Sequence, residues 1–161
     1  MNVIAFNRVR EEFGFLSNMA PISVKIAGHQ WRTAEAAFQA LRFEDEEIRK
    51  EIRKQKSPMG AKMVSKKHRV LALVDPMSPG DLHNMALVVR AKFEQHIVFW
   101  NRLDRTGDTQ IVENCTYRRR QPRSLFWGAA LGEDGQWEGE NHLGRILMAV
   151  RDELRTEAAG E

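Results

Sequence analysis

Thr33-Ala34-Glu35-Ala36-Ala37-Phe38-Gln39-Ala40-Leu41-Arg42-Phe43 reads as a helix, and the rest of the chain is organised around it. The Thr33 hydroxyl suits an N-cap, and the alanines that follow are the strongest helix formers. Trp31, Ala34, Phe38 and Leu41 share one helical face, which predicts an apolar stripe turned inward. Glu35, Gln39 and Arg42 recur on a neighbouring stripe. A carboxylate in the first turn, then an amide, then a guanidinium make a polar seam beside an apolar one. Taken alone, such a seam is either a solvated face or part of a site.

The chain has 161 residues, enough for a single domain over 1–161 with a real core. Its 25 basic and 22 acidic residues leave a net charge of only +3, so local clusters matter more than the total. Cys115 is the one cysteine. It excludes an internal disulfide and fits a reducing compartment. No apolar run approaches the length of a membrane helix, and the N-terminus lacks a signal-peptide pattern. The expected location is the cytoplasm, without a membrane partner. The tail over 155–161 is expected to fray.

On either side of the central helix the pattern predicts short elements. Val3-Ile4-Ala5-Phe6 reads as a strand. Residues 13–19 read as a loop, in which Ser17 and Asn18 either close a turn on their own backbone or offer a hydroxyl and an amide to a pocket. Residues 22–26 alternate as a half-buried strand, turned by Ala27-Gly28 into His29-Gln30-Trp31.

Residues 44–56 form a charged helix with acids first and bases last. Ser57-Pro58 restarts a helix, which carries Lys62, Lys66, Lys67, His68 and Arg69. That cluster is either a wet surface or a phosphate-binding face. Asp81 is expected to cap the longest helix, about 82–103, with Met85, Val88, Val89, Lys92, Phe93, His96, Ile97 and Trp100 on one face. Residues 110–114 read as a strand. Residues 117–123 hold Arg118, Arg119, Arg120 and Arg123, too basic for a core element. Asn141 is expected to cap a final helix striped by Leu143, Ile146, Leu147, Val150 and Leu154.

The fold class is therefore mainly α: one compact multi-helix domain of about five helices, with a small β-hairpin and one or two short extra strands. Strand-helix alternation is missing, as are G-x-G-x-x-G after a strand and a Walker loop, so the ordinary dinucleotide and triphosphate folds are unsupported.

Five stretches, in order, resemble the NADAR family, also called YbiA-like. They are Phe15-Leu16-Ser17-Asn18-Met19, Thr33-x-Glu35-x-x-Phe38-Gln39-Ala40-x-Arg42-Phe43, Ser57-Pro58-Met59, Arg90-Ala91-Lys92-Phe93-Glu94-Gln95-His96, and Trp127-Gly128 followed by Gly139-x-Asn141-x-Leu143-Gly144-x-x-Leu147-Met148. The resemblance implies a mainly helical fold and hydrolysis of an N-glycosidic bond at C1 of a ribose. Its implied substrates are ribosylaminopyrimidine phosphates of riboflavin synthesis or ADP-ribosylated guanine in DNA, and it implies no cofactor and no metal.

Cleaving a ribose C1–N bond passes through an oxocarbenium-like state, which a fixed carboxylate stabilises while orienting or deprotonating water. The resemblance assigns that role to Glu35, and a helix N-terminus is a favourable place for a negative charge. Trp127, with Gly128 beside it, is a candidate to stack on a base or wall off the sugar. Asn18 and Asn141 are candidates for the ribose hydroxyls, and Ser17 and Gln39 are further substrate-binding candidates. Arg42 is a candidate for a phosphate or carboxylate. Lys62, Arg118, Arg119, Arg120 and Arg123 are possible phosphate or nucleic-acid contacts.

Three departures stand against the family pattern. Ala36-Ala37 replace its His-Tyr. Arg42 replaces its Lys, which removes an amine able to lose a proton. The Asp that precedes its Trp-Gly is missing from the basic segment over 118–124, so a second acid, if needed, must come from Glu113 or Asp134. The other reading is therefore a weak or inactive binder of an ADP-ribose-like ligand or of nucleic acid.

Overall fold

A computed structural model describes residues 2–160. In chain order the elements are β1 (Val3–Phe6), β2 (Val24–Ile26), β3 (His29–Trp31), α1 (Ala34–Ala40), α2 (Glu46–Arg53), α3 (Pro58–Lys67), α4 (Pro79–Gln95), α5 (Ile97–Asp104), β4 (Gln110–Glu113), α6 (Pro122–Trp127), β5 (Ala130–Leu131), β6 (Trp137–Glu138) and α7 (His142–Ala159). The class is mainly α, with seven α-helices among the described residues where the sequence suggested about five. The chain falls into two compact units. One is the continuous segment Asn18–Gln95, and the other is built from residues before and after it.

In the Asn18–Gln95 unit, α1 is buried at every one of its seven residues. Alanine explains this. With methyl side chains on most positions, α2, α3, α4 and the β2–β3 hairpin can all close on the same short helix. The Thr33 hydroxyl accepts from the Ala36 N–H at 3.1 Å, the cap expected from the sequence. Ser57 accepts from Gly60 N–H at 3.0 Å with Pro58 opening α3. On α2 only Ile48 and Ile52 are buried. The hairpin turns through Ala27 and Gly28, both with positive φ, as a two-residue turn between antiparallel strands requires. At the far end of α4, Gln95 extends the hairpin. Its Oε1 accepts from Lys25 N–H at 2.7 Å and its Nε2 donates to Lys25 C=O at 2.9 Å, as a neighbouring strand would.

The expected helix over 82–103 is two helices. Its apolar face is buried from Met85 to Phe93. His96 then leaves the helical conformation (φ −133°, ψ 89°) and starts α5, in which Ile97 is exposed. Asp81 is not a cap. It lies in the first turn of α4, where its own N–H donates to the Ser78 hydroxyl at 3.3 Å.

In the other unit, β1 and β4 pair in parallel, Val3 opposite Gln110 and Phe6 opposite Glu113. The helix α7 lies against β4, with Leu143, Leu147 and Val150 buried. It continues to Ala159, past the point where fraying was expected. Arg155 secures that last stretch by donating to the Asp104 carboxylate at 2.6 Å. The basic segment is more ordered than its composition suggests. Residues Thr116–Arg118 form a 3-10 turn, and Pro122 opens α6. No helix among the described residues is long and apolar enough to cross a membrane.

Candidate active site

The seam predicted on α1 is a buried, hydrogen-bonded series rather than a solvated face. Glu35, Gln39 and Arg42 are 8%, 4% and 7% exposed. Gln39 Nε2 donates to Glu35 Oε1 at 2.7 Å, and Arg42 Nη1 donates to Gln39 Oε1 at 3.0 Å. The remaining guanidinium edge grips Asp81: Nε to Oδ1 at 2.8 Å and Nη2 to Oδ2 at 2.7 Å. Asp81 is fully buried and also accepts from the Met77 N–H at 2.8 Å. This is the bidentate geometry that carboxylates make with arginine and cannot make with lysine. Arg42 thus pairs with a carboxylate of the chain itself, Asp81.

Glu35 sits where the loop before β2 meets the helix. Its backbone N–H donates to Asn18 C=O at 3.0 Å. Its Oε2 has no partner among the described residues. Asn18 is 4% exposed; its Nδ2 donates to Met85 Sδ, and its Oδ1 is buried with no partner among the described residues. A buried acceptor without a donor costs stability. One backbone bond thus ties the residue that carries this acceptor to Glu35. Lys62, also in this unit, is half-buried on α3.

Lys92 falls on the apolar face of α4 and is not among the candidate site residues read from the sequence. It is 1% exposed, and burial pushes its amine down to about 7. The signal was a lysine inside a run of core residues on α4. An amine with that value changes charge near neutral pH.

The remaining candidates belong to the other unit. Ser17 closes the 3-10 turn Gly14–Leu16. Trp127 ends α6, half-buried, with the Phe126 ring edge-on at 4.9 Å between centroids. Gly128 and Asn141 have structural duties. A Cβ on Gly128 would lie 2.3 Å from the Glu113 carbonyl oxygen. Asn141 precedes α7 in the left-handed region (φ 52°) and makes no side-chain cap. Its amide bonds β4 instead, donating to Ile111 C=O at 2.9 Å and accepting from Glu113 N–H at 3.1 Å. Both amide atoms are engaged, so a ribose hydroxyl is not its primary partner.

Arg118 lies over the Tyr117 ring at 5.1 Å and 3.9 Å from Glu113. Arg119 donates to Leu131 C=O at 3.1 Å and lies 3.9 Å from Glu138. Arg120 and Arg123 are exposed and unpaired among the described residues. Asp134 is exposed, and Glu113 half-buried.

Comparison with known proteins gives a consistent picture. N-glycosidase YbiA of Escherichia coli (strain K12) is 33% identical over 155 residues, covering 96% of this chain and 90% of that protein. N-glycosidase Npun_R5314 of Nostoc punctiforme is 31% identical, covering 94% and 92%. Riboflavin biosynthesis protein VVA0006 of Vibrio vulnificus is 31% identical over 96% of this chain but only 39% of its own length. The NMR structure of the E. coli YbiA protein superposes with a TM-score of 0.79 at 33% identity, over 99% of this chain and 88% of that one. The NADAR domain model matches residues 5–155, across both units, and the chain belongs to the NADAR domain family.

Proposed function

We propose that this N-glycosidase hydrolyses the bond between C1 of a ribose and a nitrogen in a ribosyl-phosphate or ADP-ribosyl adduct, with Glu35 as its base and electrostatic stabiliser. The observation that carries this reading is the Glu35 carboxylate. It is buried, held through Oε1 by Gln39, and its Oε2 lacks a partner among the described residues. As the C1–N bond lengthens, positive charge spreads over C1 and the ring oxygen. A fixed negative oxygen beside that charge lowers its energy without reorganisation. The same oxygen orients a water, whose hydroxyl adds to C1 while the departing nitrogen ends with a proton. The partnerless Oδ1 of Asn18 suits a ribose hydroxyl.

Two substrate types remain. A ribosylaminopyrimidine phosphate is supported by relatives named riboflavin biosynthesis proteins in Vibrio vulnificus and Zea mays. An ADP-ribosylated guanine in nucleic acid is supported by the exposed Arg120 and Arg123, which suit a polyanion. We place the reaction in the cytoplasm, without cofactor or metal.

Mass spectrometry of products from both substrates, run beside Glu35→Gln, tests the proposal. Free sugar from one or both, abolished in Glu35→Gln, is the expected result. Release that survives in Glu35→Gln moves catalysis to another group. Binding without release from either substrate establishes the non-hydrolytic binder instead.

A further inference from the structure

The bonds that tie Glu35 to Asp81 have a direction, and chemistry dictates it. A guanidinium only donates. Gln39 must therefore turn its carbonyl oxygen toward Arg42, which leaves its NH2 facing Glu35. A glutamine amide by itself can take either of two nearly isosteric orientations. Here Arg42 chooses one. Arg42 has little freedom of its own, because two parallel bonds to Asp81 fix the plane of the guanidinium and aim the third nitrogen at Gln39. Asp81 is the last member, anchored by the Met77 N–H. Each of the four side chains is under a tenth exposed, so water does not compete freely for these bonds.

We propose that Asp81 is a positioning residue for Glu35, acting through Arg42 and Gln39. The inference rests on the hydrolase reading above for its consequence in rate, and on the bonds themselves for its mechanism. Arg42 stands where the family resemblance implies a lysine. A lysine is a point donor that one carboxylate cannot hold in a plane. Arg42 and Asp81 therefore form a matched pair that gives up an amine and gains a rigid strut behind Gln39. Asp81 touches no reacting atom. It keeps an NH2 group pressed on Glu35 Oε1, so that Oε2 keeps one aim.

The test uses Asp81→Asn and, as a second variant that keeps a cation opposite Asp81, Arg42→Lys. Nitrogen–proton NMR follows exchange of the Gln39 side-chain NH2 beside the backbone amides of α1. Turnover is normalised to the folded fraction. Exchange of the Gln39 NH2 is expected to rise at least about tenfold in either variant while the α1 backbone amides keep their protection. The value of kcat is expected to fall about tenfold to a hundredfold, with KM within about twofold. Gln39 exchange that does not change, or that rises only together with the α1 backbone, overturns the proposal. Loosened Gln39 with unchanged kcat overturns it as well. If the wild-type protein releases no sugar, the hydrolase reading fails, and the Gln39 measurement alone still decides whether Asp81 positions Glu35.

Discussion

Asn141 completes a ladder that a strand would ordinarily complete: its side-chain oxygen takes the Glu113 N–H at 3.1 Å while its NH2 serves the Ile111 carbonyl two residues earlier. A backbone site on β4 is thus satisfied by an amide from the turn before α7. Gly144 makes room for it. A Cβ there would lie 2.3 Å from the Ile111 oxygen and 2.4 Å from Asn141 Nδ2.

Two substitutions check this arrangement. Asn141→Ala leaves a strand N–H and C=O without partners and is expected to cost about 2 kcal/mol or more in unfolding free energy. Gly144→Ala forces the same contact apart and is expected to cost about as much. The two effects should be far from additive, because each destroys the same bonds. Urea denaturation of the two single variants and the double variant gives the answer. Additive losses would separate Gly144 from Asn141.

Asn18 offers the reverse balance between stability and function. Its Oδ1 is a buried acceptor without a partner among the described residues, so Asn18→Leu removes an unsatisfied acceptor at the cost of the Nδ2 contact to Met85 Sδ. Stability is expected to stay level or rise by up to about 1 kcal/mol, while KM for the N-glycoside rises about tenfold as a ribose hydroxyl loses its acceptor. Thermal unfolding and initial rates are the measurements. A strong loss of stability with unchanged KM assigns Asn18 to the scaffold.

Lys92 makes stability depend on pH in a predictable sense. Burial lowers its amine from an ordinary value of 10.5 to about 7 in the folded protein. Between those values the unfolded chain binds the proton and the folded chain does not, so this lysine makes stability rise with pH across that window. Below about 7 it is protonated in both states and contributes no slope. In Lys92→Met that contribution disappears. The difference in unfolding free energy, wild type minus variant, is expected to grow in favour of the wild type from about pH 7 to about pH 9.5. A difference that stays flat across this range would refute the shift.

Local chemistry was the legible part of this fold. Thr33 and Ser57 announce their caps through residue type, and Ala27-Gly28 announces its turn, because hydroxyls and positive-φ positions act within a few residues. The seam of Glu35, Gln39 and Arg42 was legible as a spacing. Its burial was not, because α3 and α4, later in the chain, close on α1 together with its immediate neighbours α2 and the hairpin. Asp81 looked like a cap since a cap and a buried ion-pair partner share one residue type. Only Arg42, 39 residues away, distinguishes them. The break at His96 was hidden because apolar spacing continues across it, whereas Gln95 just before it is committed to Lys25 backbone. Asn141 was placed correctly at the start of α7, but its amide serves a strand 28 residues earlier.

The parallel pairing of β1 with β4 sets an order of events during synthesis. Val3–Phe6 leaves the ribosome roughly a hundred residues before Gln110–Glu113 exists to receive it. By then all of Asn18–Gln95 has been made, as one uninterrupted length of chain able to condense on its own contacts. Val3–Phe6 is thus made well before its partner strand and finds its place late. Until then it is an exposed apolar strand with an unsatisfied edge, the segment most open to chaperones and to mispairing.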